Sequence, residues 1–450
     1  MAYPTYKKCT IQTQETNIPS HWNFLYGSGC FVENKEKYIP NTQPTILQFN
    51  YGKIVPKAIQ NVWDDDIAVY EKYTHVVPDT IMINGLNLNY DFVSQRVGVV
   101  KEEGIITSAY ISMNCRSVYD KDYAVYLLKS IDDKKIFHGM GTGIRLTLSF
   151  SDIKKMQFPV PPLQEQQQIV RYLDWKTSQI NHLIHGYERL ISLLEERKKA
   201  VINEAVTKGI HMGVAMKDSG VDWIGEMPAH WNLERVRQFF HIKKDIAGTE
   251  GYDVLSITQS GIKKKDIASN EGQMANDYSN YQFVNPGEYA MNHMDLLTGY
   301  IGLSPYFGVT SPDYRVFAIN DVEMCDSEYY LKVFQIGYRR HIFFKFGHGA
   351  ASKGRWRLPA KEFLNYVIPV PPIQEQKEIA AHIADEIGKL DTIIERITKE
   401  TELLRERRTR LISDVVTGAF DVRGIEVPEY TPEQDMEVTE DGDEYEGERA

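Results

Sequence analysis

Two stretches of the chain repeat an apolar residue at every seventh position: Leu173, Ile180, Tyr187, Leu194 and Val201, then Ile383, Leu390, Ile397, Leu404 and Leu411. Ile184 and Ile191 in the first stretch, and Ile387 and Ile394 in the second, stand four positions beyond members of those rows. The pattern predicts two helices, each with a coiled-coil seam. Their polar faces carry EERKK (Glu195–Lys199) and RERR (Arg405–Arg408). A helix from about Leu163 to Ala205 would be roughly 65 Å long at about 1.5 Å per residue. Such a seam needs cover, and the simplest cover for each helix is the other, running antiparallel.

Each row opens on the same collar. PVPPLQEQ (Pro159–Gln166) and PVPPIQEQ (Pro369–Gln376) share seven of eight residues, 210 positions apart. Proline suits a helix start, where its fixed φ fits and its missing N–H costs nothing. Glu165 and Glu375 then meet the positive end of the helix dipole in the first turn. At the same offset His138-Gly139 falls on His348-Gly349, Arg145 on Arg355 and Val206-Thr207 on Val416-Thr417, while IPSHWN (Ile18–Asn23) answers MPAHWN (Met227–Asn232) at 209. The expected fold is α+β: two α/β globular parts separated by two long helices that form an antiparallel coiled coil, a pseudo-twofold internal duplication with one globular part at each end of a rod. TILQF (Thr45–Phe49), VGVV (Val97–Val100), YRVFAI (Tyr314–Ile319) and YVIPV (Tyr366–Val370) read as strands. The expected division is 1–157 first globular part, 158–207 first helix, 208–225 linker, 226–367 second globular part, 368–420 second helix and 421–450 acidic tail.

Charge changes the picture once it is located. The net charge is -11, yet residues 421–450 hold twelve Asp or Glu against two Arg, so the body is close to neutral. That tail is expected to be disordered and solubilising. Hydrophobic residues at 42% and aromatics at 11% suffice for real cores. No leader pattern or membrane span of roughly 18 apolar residues is present, which places the chain in the cytoplasm. Cys9, Cys30, Cys115 and Cys325 form no C-x-x-C pair, so they read as buried or incidental thiols and no metal site is expected.

Catalytic signals are thin. FHGMG (Phe137–Gly141) fits the glycine pattern of a methyl-donor loop, but the second copy lacks it, and both Pro-Pro pairs follow Val rather than Asn or Asp. Pro78-Asp79 with Asp132–Lys134 loosely resembles a Mg²⁺ nuclease site, a match that chance supplies in a charged chain. A phosphate loop and His-Glu-x-x-His are absent. No catalytic residue is assigned. Basic residues set among aromatics and glycines are a better pattern for DNA contact. They are Lys134, Lys135, His138 and Arg145 in the first half, and Lys263, Lys264, Lys265, Arg339, Arg340, His341, Lys345, His348, Lys353, Arg355 and Arg357 in the second.

The doubled PVPP[LI]QEQ collar, the heptads after it and DWIGEMPAHWNLERV (Asp222–Val236) together resemble the specificity subunit of type I restriction-modification systems, over residues 17 to about 420. The first half lacks the DWIGE lead-in, and the acidic tail lies outside the resemblance. The resemblance implies that residues 17–157 and 226–367 are target-recognition domains, each reading one half of a split site on double-stranded DNA. It implies that the helices fix the spacing and dock two modification subunits, and that two restriction subunits join through these. This chain would bind no cofactor, S-adenosylmethionine, ATP and Mg²⁺ belonging to the partner subunits. From the residues alone two other readings stay open: a catalytic DNA methyltransferase or nuclease with duplicated domains, and a coiled-coil scaffold without DNA contact.

Overall fold

The computed structural model describes residues 2–11, 14–39, 44–57, 67–90, 92, 95–140, 146–259, 261–265, 278–297, 299–349 and 356–429. The chain forms two compact units, one of Met1–Glu188 with Thr398–Ala450, the other of Arg189–Ile397. This division departs from the sequence expectation. It runs through the middle of both long helices, Leu163–Lys208 and Ile373–Val416, instead of at the collars. The reason is packing: each globular part shares a core with the start of its own helix and the end of the other helix.

In the first unit four antiparallel strands lie in the order Phe31–Glu33, Ile111–Cys115, Ile81–Ile83, Val97–Val99. A helix, Lys121–Asp133, turns Tyr123, Ala124, Leu127, Leu128 and Ile131 inward at helical spacing, and the Asp120 carboxylate caps it by accepting from the N–H groups of Asp122 and Tyr123. Its core joins these residues to Trp22, Ile169, Leu173, Val415, Val416 and Val422. The collar strand Gln157–Val160 pairs with Asn23–Tyr26, Pro159 opposite Phe24. A two-stranded ladder has only edges, so the proline deprives no central strand of a donor.

The second unit repeats the plan. Its strands run Phe240–Lys243, Arg315–Ile319, Tyr289–Met291, Ile301–Leu303, its helix is Ser327–Arg339 capped by Asp326, and its collar strand Val367–Val370 pairs with Asn232–Arg235. Val206, Ile379 and Ile383 join that core.

Within each unit the two helix segments run antiparallel. In the first, Arg405 Nη2 meets Glu188 Oε1 at 2.6 Å and Arg408 Nη1 donates to Asn181 Oδ1 at 2.6 Å. In the second, Lys198 Nζ meets Asp391 at 2.6 Å and His211 meets Glu378 at 3.3 Å. Among the heptad residues Leu173, Ile180, Val201 and Ile383 are buried, and Tyr187, Leu194, Leu390, Ile397, Leu404 and Leu411 are half-buried.

Two boundaries need correction. The expected linker is folded: Met216–Asp218 pairs with Glu226–Pro228, and Trp223 and Ile224 are buried. The expected tail begins too early, because residues 421–427 carry apolar Val422, Ile425 and Val427, which pack on the first core. Gln168 Nε2 donates to the Val422 and Ile425 carbonyls, and Phe420 stacks on Tyr172. Residues 430–450, most of the acidic run, lie outside the described residues.

Candidate nucleic-acid interface

The collar repeats because it braces each globular part on its helix. Gln166, fully buried, accepts from the Asp120 N–H at 2.7 Å and donates to the carbonyls of Val118 and Pro161. Gln376 does the same with the Asp326 N–H at 2.8 Å and the carbonyls of Met324 and Pro371. Glu165 and Glu375 are more than dipole partners. Glu165 is buried and accepts from Tyr3 Oη at 2.6 Å and Trp22 Nε1 at 3.0 Å, and pairs with His21 at 2.8 Å; Glu375 pairs with His230 at 2.8 Å. The HWN motif and the QEQ motif are thus two sides of one joint, which neither shows alone.

Each part carries a loop between the second and third strands of its sheet in chain order, Ile81–Ile83 to Val97–Val99 in the first and Tyr289–Met291 to Ile301–Leu303 in the second. In the first, Leu88 is buried, its N–H donates to the Leu146 carbonyl, and the Leu148 N–H donates to the Gly85 carbonyl. In the second, Leu296 is buried, its N–H donates to the Trp356 carbonyl, and the Leu358 N–H donates to the His293 carbonyl. Beneath the first loop lies Arg96, 1% exposed, whose Nη1 donates to the carbonyls of Asn84 and Leu86 at 3.0 and 2.8 Å. Its own N–H donates to Asp132 Oδ2 at 2.7 Å. Beneath the second, Tyr338 Oη donates to the Asn292 carbonyl at 2.8 Å and Arg339 donates to Tyr300 Oη at 2.8 Å.

These partners decide the nuclease reading against catalysis. Asp132 is 2% exposed, with its pKa raised by burial against the opposing pull of the Arg96 N–H, and it serves the loop. Asp79 instead pairs with Lys121 at 2.6 Å. Phe137 of the glycine-rich motif is a core residue, and Gly141 lies outside the described residues. Cys30 and Cys325 are buried and Cys115 half-buried, with thiol pKa values pushed up by burial to about 11, 12 and 12 respectively.

The basic residues fall into three situations. Lys134, Lys263, Lys345, His348 and Arg357 are exposed, with His348 and Arg357 bridged across a short antiparallel contact. Lys135 is half-buried with φ 56°, His341 exposed with φ 52°, at matching points just past the two helices, and Lys265 is half-buried. Others are engaged within the chain: Lys264 pairs with Asp253 at 2.5 Å on the surface, Arg339 bonds Tyr300, and Arg340 donates to Asn203 Oδ1 and the Trp223 carbonyl. Arg340 is therefore a strut between helix and lead-in. Arg145, Lys353 and Arg355 lie outside the described residues. Lys134 also lines a cleft of about 580 Å³ with Asp133, Arg405, Glu406, Arg410 and Asp414, whose charges alternate in sign.

One register is corrected. Phe137 and Phe343 are both buried two residues past Lys135 and His341, the left-handed residues that follow the two helices, so His138 corresponds to Phe344, not to His348. His138 stacks on Phe92 at 4.9 Å between centroids, and Phe344 on Trp356 at 4.9 Å. No group of three or more His, Cys, Asp or Glu that could hold a metal ion occurs among the described residues. No helix among them is long and apolar enough to cross a membrane.

Two heads of one strand order, fastened to their helices by the same glutamine bonds and carrying different loops, define a duplicated, two-headed protein. The family model for the type I restriction modification DNA specificity domain matches residues 96–188 and 231–404, and the chain belongs to that family. It is a specificity subunit of a type I restriction-modification system, the DNA-recognition and not the catalytic member, and works with DNA and partner subunits. It is similar to the type I restriction enzyme MjaVIII specificity subunit of Methanocaldococcus jannaschii, 22% identical over 91% of this chain and 95% of the relative. It is also similar to the putative MjaX specificity subunit of that organism, 24% identical over 67% and 68%. Among solved structures, a chain from work on complex assembly and conformational transition of the type I R-M system shares the fold at TM-score 0.66 and 12% identity, covering 90% of this chain and all of the other.

Proposed function

We propose that residues 17–157 and 226–367 each read one half of a bipartite DNA site, and that the long helices set the distance between the halves. The observation that carries this reading is the repeated brace: Gln166 and Gln376 fasten two sheets of the same strand order to their helices by the same three bonds. Heads held that way keep a fixed bearing on their helices, as a measuring device requires. Leu183, Leu190, Leu193, Ile393 and Leu403 stay exposed on the long helices, and exposed leucines on amphipathic helices suit docking of partner proteins. The partners in this reading are two modification subunits, with two restriction subunits joined through them. S-adenosylmethionine, ATP and Mg²⁺ act in those partners. The near-neutral body fits a share of affinity supplied by the assembly, since few phosphate contacts per head give weak binding.

Replacing residues 17–157 with those of a relative should change one half of the methylated motif and leave the other, read by sequencing methylated bases in cells that also carry the modification subunit. A motif unchanged in both halves would overturn the reading. Adding two heptads to each helix should lengthen the measured gap by roughly 21 Å; full activity at the original gap would exclude the helices as the spacer.

A further inference from the structure

We infer that Tyr90 and Phe92 are the side chains through which the first recognition domain discriminates bases, an inference that rests on residues 17–157 reading one half-site. The two loops are equivalent in their anchors and unequal in their tips. Between the bounding strands the first has thirteen residues and the second nine. The buried leucines and their matched backbone bonds fix the register before the tip, and Arg96 and Tyr300 immediately precede matching strands after it. The four additional residues therefore fall between Leu88 and Arg96, where Tyr90 and Phe92 stand 73% and 55% exposed.

Large aromatics left on the surface forgo the free energy that burial would gain, and here the protein commits a buried guanidinium to holding the loop that presents them. The Tyr90 N–H donates to the Asn87 carbonyl, with Asn87 at φ 53°, so residues 87–90 form a defined turn that places Tyr90. The His138 ring lies against Phe92 with 23° between planes, which restricts the phenyl ring from behind, and Lys134 and Lys135 follow the same helix nearby in sequence. A ring held in that way suits apolar contact with base edges, and the Tyr90 hydroxyl adds a donor and an acceptor.

The test uses the complex of this chain with its modification subunits and a library of duplexes randomised in both half-sites, methylated bases being read by sequencing. Both side chains are exposed, so Tyr90→Ala and Phe92→Ala should melt within a degree or two of the parent. Each should lower methylation of the cognate site about tenfold or more and relax the preference at positions in one half-site only. Unchanged preferences, alongside a 17–157 replacement that does switch one half-site, would overturn the assignment of the loop and leave the domain reading intact. A uniform loss over all sequences would also overturn it, since it would mark a backbone contact. If the replacement switched neither half, the domain reading would fall and this inference with it.

Discussion

At the same place in the two globular parts the protein supports a loop by different means. The first uses a buried charge, Arg96, reaching the carbonyls of Asn84 and Leu86, beside Asp132. The second uses Tyr300 and Tyr338, with ring centroids 6.4 Å apart and one hydroxyl bonded to the Asn292 carbonyl. Strand order, cap, collar brace and the flanking backbone bonds are the same in both. What the difference teaches is that this fold constrains where a loop is anchored and leaves the chemistry of the anchor free, so each head tolerates a different tip.

The ionic support should be the more fragile. Arg96→Met strands two carbonyls and removes one of the two cations, with Lys135, that act on buried Asp132, so the first unit should lose about 3–5 kcal/mol in a urea titration. A loss under about 1 kcal/mol would show that water replaces the guanidinium. The braces, by contrast, should be equal: Gln166→Ala and Gln376→Ala each leave a capping N–H without its acceptor and should cost about 1–3 kcal/mol. Unequal values would break the equivalence of the two joints. Tyr338→Phe removes a single bond and should cost about 1 kcal/mol.

Acid also separates the two parts. Burial, then the nearby Arg315, holds the His293 pKa down to about 4, while the equivalent position in the first part is Gly85. An unfolded histidine titrates near 6.5, so between those values the unfolded chain binds more protons. The second unit should therefore lose stability as pH falls through that window. His293→Gln should flatten the profile of the second unit and leave that of the first unchanged, as followed by unfolding at pH 4.5 and 7.

The heptads and the doubled collar made the helices and the duplication legible, because both repeat at a fixed period and one copy vouches for the other. The role of Gln166 was not legible, since its acceptor bond is to Asp120, 46 residues away, and nothing local marks it. Arg96 and Asp132 failed to stand out for a related reason: a buried anchor looks like any surface charge in one dimension. The pairing of His138 with His348 went astray because the first part has four more residues in its loop and the second four more between its helix and the segment Ala360–Asn365, and a gapless offset hides both. Average composition assigns Val422 to an acidic tail, though its own neighbours Phe420 and Ile425 are apolar.

The second unit is one continuous stretch, Arg189–Ile397, whereas the first is closed by residues from Thr398 onward, with Tyr123 Oη bonded to the Val416 carbonyl and Val422 inside its core. During synthesis the order of completion is therefore inverted. The head made first must wait, half-covered, while more than two hundred further residues emerge, and the head made second closes before it. In a cell, the N-terminal head should therefore be the more open to chaperones and proteases, and a chain ending before Thr398 should hold one finished head and one unfinished.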